Sequence, residues 1–145
     1  MTVKSLITII AMTLSFTITA AETAEKLLLP CPETPNCVSS QATDAGHFIE
    51  PFKFSGQPDE VWTALKNALL SQSRTVITLD ADNALHATAT SLIFRFVDDI
   101  DVIMDTEAKL IHIRSASRTG YGDFGVNRKR VEALRAQLQQ AGVID

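Results

Sequence analysis

Two stretches of alternating apolar and polar residues, from about Leu92 to Met104 and from Leu110 to Ser117, are separated only by the short polar run Asp105 to Lys109 (DTEAK). So short a connection has no room for a crossover, so the two strands must pair antiparallel as a hairpin. Strand parity then places Phe94, Phe96, Ile100, Val102 and Met104 on one face and carries Asp98 with them, while Asp99 and Asp101 fall on the other. In the partner strand Ile111 and Ile113 look inward with Ser115 and Ser117, leaving His112, Arg114 and Arg118 outside. Like faces meet only when paired residue numbers have an odd sum. Either nearby register sets Arg114 opposite Asp99 or Asp101 and brings Asp98 near Ser115 or Ser117.

The hairpin therefore places a carboxylate on a core-facing position, where it needs hydrogen-bonding partners or must neutralise. One reading has Asp98 return to water at a strand end or bulge, or cap a loop. The other makes it a polar spot lining a pocket, and a candidate acid. Asp99, Asp101 and Arg114 read as a solvated ion-pair ladder.

Upstream, His47 to Phe54 (HFIEPFKF) has strand aromatics, with Pro51 confining it to an edge or bulge. Pro58 can open a helix at its first turn, and Val61, Ala64, Leu65, Ala68 and Leu69 recur at helical spacing through about Ser71. Trp62 borders that stripe as a packing residue. Two short strands follow, TVITL and LHATAT, on either side of the turn-like Asp80-Ala81-Asp82-Asn83. A last helix from about Arg128 to Ala141 carries Val131, Leu134, Leu138 and Ala141 on one stripe, with Gly142 as its stop. The order β-α-β-β-β-β-α, with one apolar face per helix, predicts an α+β fold: an antiparallel sheet of four to five strands with both helices on one face.

The 145 residues suffice for one domain, and the beginning of the chain stands apart from it. Lys4, the apolar run Leu6 to Ile18 and the small residues Thr19-Ala20-Ala21 have the form of a signal peptide, with cleavage expected after Ala21 or Ala20. The apolar run is short for a spanning helix, so no stable membrane anchor is expected after cleavage. A lipobox is missing before Cys31. The expected division is 1–21 signal peptide, 22–46 a polar tethered arm without periodicity, and 47–145 a single α+β domain, periplasmic or secreted. Export makes a disulfide the first reading of the only two cysteines, Cys31 and Cys37. A redox or metal role lacks C-x-x-C spacing and nearby cations.

The segment Gly120-Tyr121-Gly122-Asp123-Phe124-Gly125 satisfies G-x-G-x-x-G, yet its context excludes a dinucleotide site. No second parallel strand and no acidic ribose ligand can follow in the residues that remain. The glycines are expected to allow a positive-φ turn and close backbone approach. Beyond them Asn127 is a candidate N-cap, followed by Arg128, Lys129 and Arg130 in a first turn where the helix dipole favours acids. The charge is polarised. Residues 22–113 hold 6 basic and 14 acidic side chains, whereas Arg114 to Arg135 holds 6 basic against Asp123 and Glu132. This basic end could hold a small anion; alternatively Asp123 and the Asp98 to Asp101 cluster neutralise it internally. The mature chain's net charge of −5 argues against nucleic acid as a partner.

Three elements, Pro35-Asn36-Cys37-Val38-Ser39-Ser40 (PNCVSS), Phe96-Val97-Asp98-Asp99, and Arg114 through Arg130 with its RSASRxGxxDxGxNRxR pattern, resemble the DUF1499 family, from about Cys31 to Leu138. That family is an uncharacterised group of bacteria and plant plastids, so the resemblance implies a signature without a reaction. It implies that Asn36, Ser39, Ser40, Asp98, Asp99, Arg114, Ser115, Ser117, Arg118, Gly120, Asp123, Gly125, Asn127 and Arg130 belong to that signature.

The leading functional expectation is a non-enzymatic exported binding or accessory module for a small anionic or amphipathic ligand or a cell-envelope partner. Its candidate ligand-binding residues are Arg114, Ser115, Ser117, Arg118, Tyr121, Asp123, Asn127, Arg128 and Arg130. The alternative is a hydrolase using Asp98 or Asp99 beside Arg114 and Arg118. Against it stand the missing G-x-S-x-G and the scattered His47, His86 and His112, which also supply no metal pair. A third expectation is a structural interaction module. No cofactor is implied, and the oligomeric state is not readable from the sequence.

Overall fold

The computed structural model describes residues 27–145; the expected signal peptide lies outside the described residues. In chain order the elements are β1 (Cys37–Ser39), β2 (Phe52–Lys53), α1 (Pro58–Ser71), β3 (Thr75–Asp80), β4 (Ala84–Thr90), β5 (Val97–Asp105), β6 (Leu110–Ser117) and α2 (Val126–Gln140). The strands make one antiparallel sheet in the order β1-β6-β5-β4-β3, with β2 also on β6. The fold is α+β, as the periodicities predict.

The central hairpin takes the register in which Asp98 faces Ser117, Asp101 faces Arg114 and Val102 faces Ile113. On one face Leu85, Ala87, Ile100, Val102, Met104, Ile111 and Ile113 are buried together with Val61, Leu65 and Leu69 of α1 and Val131, Leu134 and Leu138 of α2. Each of these Val, Leu, Ile and Met side chains, taken fully out of water, contributes about 1.5–3 kcal/mol. Pro58 sits in the first turn of α1, followed by Asp59 and Glu60, which suit the positive end of the helix dipole. Trp62 packs into the same core and donates its indole N–H to Asp80 Oδ1 at 3.4 Å.

Four expectations are corrected. The first strand of the hairpin does not start near Leu92. Ser91 closes a loop instead, its N–H donating to the Phe96 carbonyl (2.8 Å) and its Oγ accepting the Phe96 N–H (2.9 Å), and Arg95 takes a positive φ of 56°. Phe94 and Phe96 are therefore 73% and 55% exposed rather than core residues. Second, the supposedly aperiodic arm contains β1, which adds to the edge of β6 with Cys37 opposite Ala116 and is fully buried. The described residues thus open β-β-α rather than β-α. Third, the strand expected over His47 to Phe54 contracts to Phe52–Lys53 and an isolated bridge at Phe48, as Pro51 cannot donate to a ladder. Fourth, Asn127 is not the N-cap of α2. Gly125, at φ 75°, holds that position, and Asn127 is wholly buried within the first turn.

A bulge between Ile77 and Leu79 shifts the parity of β3. Beyond it Leu79 pairs with His86 and Asp80 with Leu85, so Asp80 turns toward α1, where Lys66 Nζ lies 2.9 Å from its Oδ2. The Lys66 hydrogen bond holds the Asp80 carboxyl below its ordinary range.

Candidate functional site

Seven of the fourteen expected signature residues, Asn36, Asp98, Ser115, Ser117, Asp123, Asn127 and Arg130, gather where β1, the ends of β5 and β6, and the first turn of α2 meet. Asp98, on the helix-covered face and 7% exposed, accepts a 2.6 Å hydrogen bond from Arg130 Nη2. Arg130 Nη1 donates to Asn127 Oδ1 (2.8 Å) and Ser115 Oγ (3.1 Å). The Ser115 hydroxyl donates to Asn127 Oδ1 at 2.7 Å. Asn127 Nδ2 in turn reaches Asp123 Oδ2 (2.8 Å), Ser117 Oγ (2.9 Å) and the Asn36 carbonyl (3.1 Å). Asn36 completes the circuit by donating to the Gly120 carbonyl at 2.8 Å.

Asp123 does the capping that Asn127 was expected to do. Its two oxygens accept the N–H groups of Gly125 and Asn127, both at 2.9 Å. Burial pushes the Asp123 carboxyl up, but these hydrogen bonds, from the Asn127 and Gly125 backbone and the Asn127 side chain, outweigh it and leave the group below its ordinary range. Gly120 and Gly125 hold φ of 85° and 75°, the turn geometry expected of them. The expected close backbone approach is not found, since a Cβ at Gly120, Gly122 or Gly125 would meet nothing within 4 Å.

The candidate ligand residues do not share one face. Ser115, Ser117, Asp123, Asn127 and Arg130 meet Asp98 beneath α2. Arg114 and Arg118 lie on the opposite side of the sheet. There Arg114 Nη1 binds Asp101 Oδ2 at 3.1 Å, and Arg118 grips Asp99 through Nε (3.1 and 3.0 Å) and Nη2 (2.8 Å). The Arg118 hydrogen bonds, outweighing burial, hold the Asp99 carboxyl below its ordinary range, and Asp99 holds the guanidinium above its own. Arg128 reaches across to the carbonyls of Gly46 and Phe48 at 3.1 and 2.9 Å. Tyr121 stands exposed and outside the network. Cys31 and Cys37 form a disulfide with their Cα atoms 5.7 Å apart, fastening the chain just before β1.

Sequence reasoning missed one constellation. On the open face the Thr78 hydroxyl contacts His86 Nδ1, and His86 Nε2 lies 3.0 Å from Asp99 Oδ1. The residues come from three strands, and the bulge that positions Thr78 has no marker in the sequence. The row has the residue types of a nucleophile, base and orienting acid, but Thr78 is exposed on an open sheet and Asp99 is already committed to Arg118. Among the described residues no group of three or more His, Cys, Asp or Glu side chains is arranged to hold a metal ion.

Beside the network lies an open groove of about 590 Å³ between the end of α1, the start of β3 and the flank of α2. Gln72, Arg74, Thr90 and Lys129 form its walls, and the Asp98–Arg130 pair reaches it from below.

A segment before the first long helix and a loop after the last strand are thus bound into one polar cluster, joining the PNCVSS and RSASR…NRKR elements in space. A family model matches residues 27–138, spanning every member of that cluster. The chain belongs to the DUF1499 family. The family's description is a protein of unknown function, and no curated protein matches the chain. In this DUF1499 protein half of the expected signature therefore has a structural explanation: Asn36, Asp98, Ser115, Ser117, Asp123, Asn127 and Arg130 form one hydrogen-bonded network, and removing Asp98 or Asn127 leaves buried partners unsatisfied. Among the described residues no helix is long and apolar enough to cross a membrane.

Proposed function

We propose that this protein is an exported, non-enzymatic binding module that takes a small anionic amphiphile in the groove above Asp98 and Arg130. The observation carrying this reading is the groove itself, which Arg74 and Lys129 line together with Leu92 and Val126. Arg74 and Lys129 pair with no carboxylate among the described residues, so their charge remains available to an anionic headgroup. The exposed Leu92 and Val126 would meet the apolar part. The disulfide supports export, being a bond that persists in oxidising compartments.

The hydrolase reading draws less support. Asp98 is bound to Arg130, Asp99 is held ionised by Arg118, and the two carboxylates face opposite sides of the sheet. A general acid and base working on one substrate need a shared face.

Titration with dodecyl phosphate, followed by amide chemical shifts, tests the proposal. Perturbation should centre on Gln72 to Thr75, Ser91 and Lys129, and Arg74→Ala with Lys129→Ala should weaken binding about tenfold or more. Equal binding of uncharged dodecyl maltoside, or shifts confined to the Asp99–Arg118 face, would remove it.

A further inference from the structure

The exposed apolar side chains of this protein are not scattered. Leu92, Ile93, Phe94 and Phe96 stand 55–78% exposed on the β4–β5 loop, and Tyr121 and Phe124 stand 74% and 98% exposed on the β6–α2 loop. The two loops lie side by side at one end of the sheet: the Arg118 N–H donates to the Val97 carbonyl at 3.0 Å, and Leu92 and Val126 border the same groove. Phe94 and Phe96 stack on each other with ring centroids 5.6 Å apart. Arg95 and Phe124 hold φ of 56° and 53°, a left-handed conformation unfavourable for residues other than glycine. Exposed apolar side chains concentrated in two neighbouring loops at one end of a sheet mark an interaction surface.

Its charges indicate the partner. Arg95 and Lys129 are exposed and have no carboxylate partner among the described residues, and Arg74 is held only through Nε to the Thr90 carbonyl. The acids nearby are already engaged: Asp98 with Arg130 in the interior, Asp99 with Arg118 on the open face and Asp123 with the start of α2. The end therefore presents protruding aromatic and aliphatic tips among unneutralised cations. That combination partitions into the headgroup region of anionic bilayers, where rings sit at the boundary and Lys and Arg meet phosphates.

We propose that this end docks on an anionic lipid surface, with Phe94 and Phe124 inserted at headgroup depth and Arg74, Arg95 and Lys129 on lipid phosphates. The inference does not require the groove to be occupied.

Two full-length chains test it, each with Trp62→Phe and a single new reporter, Phe94→Trp in one and Phe124→Trp in the other. On phosphatidylglycerol vesicles both reporters should shift their emission to the blue and be quenched by brominated lipid, with no such change on phosphatidylcholine vesicles. In the otherwise unaltered chain, Arg95→Ala with Lys129→Ala should lower partition onto phosphatidylglycerol by about 30-fold at low salt. Reporters that stay in an aqueous environment on vesicle-bound protein overturn the proposal, because another part of the chain then carries the binding. A blue shift that grows with protein concentration in the absence of lipid also overturns it and assigns the loops to a contact between copies of the chain. Unchanged partition of the double alanine variant overturns the charge assignment.

Discussion

The two ends of the sheet are built from the same kinds of strand yet differ in nearly every other respect. At one end the β3–β4 and β5–β6 turns are short and polar, with Asp80, Asp82, Asp105 and Glu107 near their tips and the turn of β6 closed by Asp105 accepting the Glu107 and Ala108 N–H groups. At the other, two longer loops hold most of the exposed aromatics among the described residues, and directly beneath them lies the Asn36, Asp98, Ser115, Asn127 and Arg130 network. Short turns need only local hydrogen bonds to hold their shape. A loop that keeps apolar side chains in water has no hydrophobic contact to fix it, and here the buried network supplies the fixing. The comparison assigns the signature to the foundation and the interaction to the tips above it.

The comparison breaks most sharply at Asp98. Asp98→Ala leaves the Arg130 guanidinium without its carboxylate in the interior and should cost about 3–5 kcal/mol in urea unfolding. Asp98→Leu combined with Arg130→Met should recover much of that. Asn127→Ala comes next, at about 2–3 kcal/mol, since it strands Ser115, Ser117 and the Asn36 carbonyl at once. Converting Cys31 and Cys37 to alanine should cost about 2 kcal/mol by the same measurement, the value for so small a ring.

Acid should loosen the loop end through Asp123. Its folded carboxyl lies below the unfolded value of 3.8. Its contribution is therefore present above that value and is lost as pH falls through the folded one. The gap between wild type and Asp123→Ala should thus be wide near pH 7 and shrink toward about pH 3. The smallest effect is expected above the network. Phe124→Ser should leave stability within about 0.5 kcal/mol while altering vesicle binding.

Much of this was legible in the sequence. Parity and a short connection sufficed for the hairpin, the inward Asp98 and a choice of two registers, between which the observed pairing of Asp98 with Ser117 decides. The same reasoning failed at Phe94 and Phe96 because alternation continues past Val97 although hydrogen bonding does not, and the closure by Ser91 has no period to detect. β1 was hidden by its brevity: Cys37–Ser39 is too short to alternate and gains its place only by pairing with β6. Asn127 has the right chemistry for a cap two positions too late, and the left-handed Gly125 with Asp123 before it settles the matter. At the site, charge polarity singled out the stretch from Arg114 to Arg135, but Arg114 in β6 and Arg118 just past its end share a face that α2 never reaches, so the basic set divides.

Amide hydrogen exchange on Asn127→Ala tests the central claim most directly, namely that the signature braces the loop end. The account predicts that protection falls selectively at Asn36–Ser40 and Ser117–Asn127 and persists in the turns around Asp82 and Glu107. Unchanged protection in those segments, with loss of dodecyl phosphate binding, would contradict it and make the signature a ligand site.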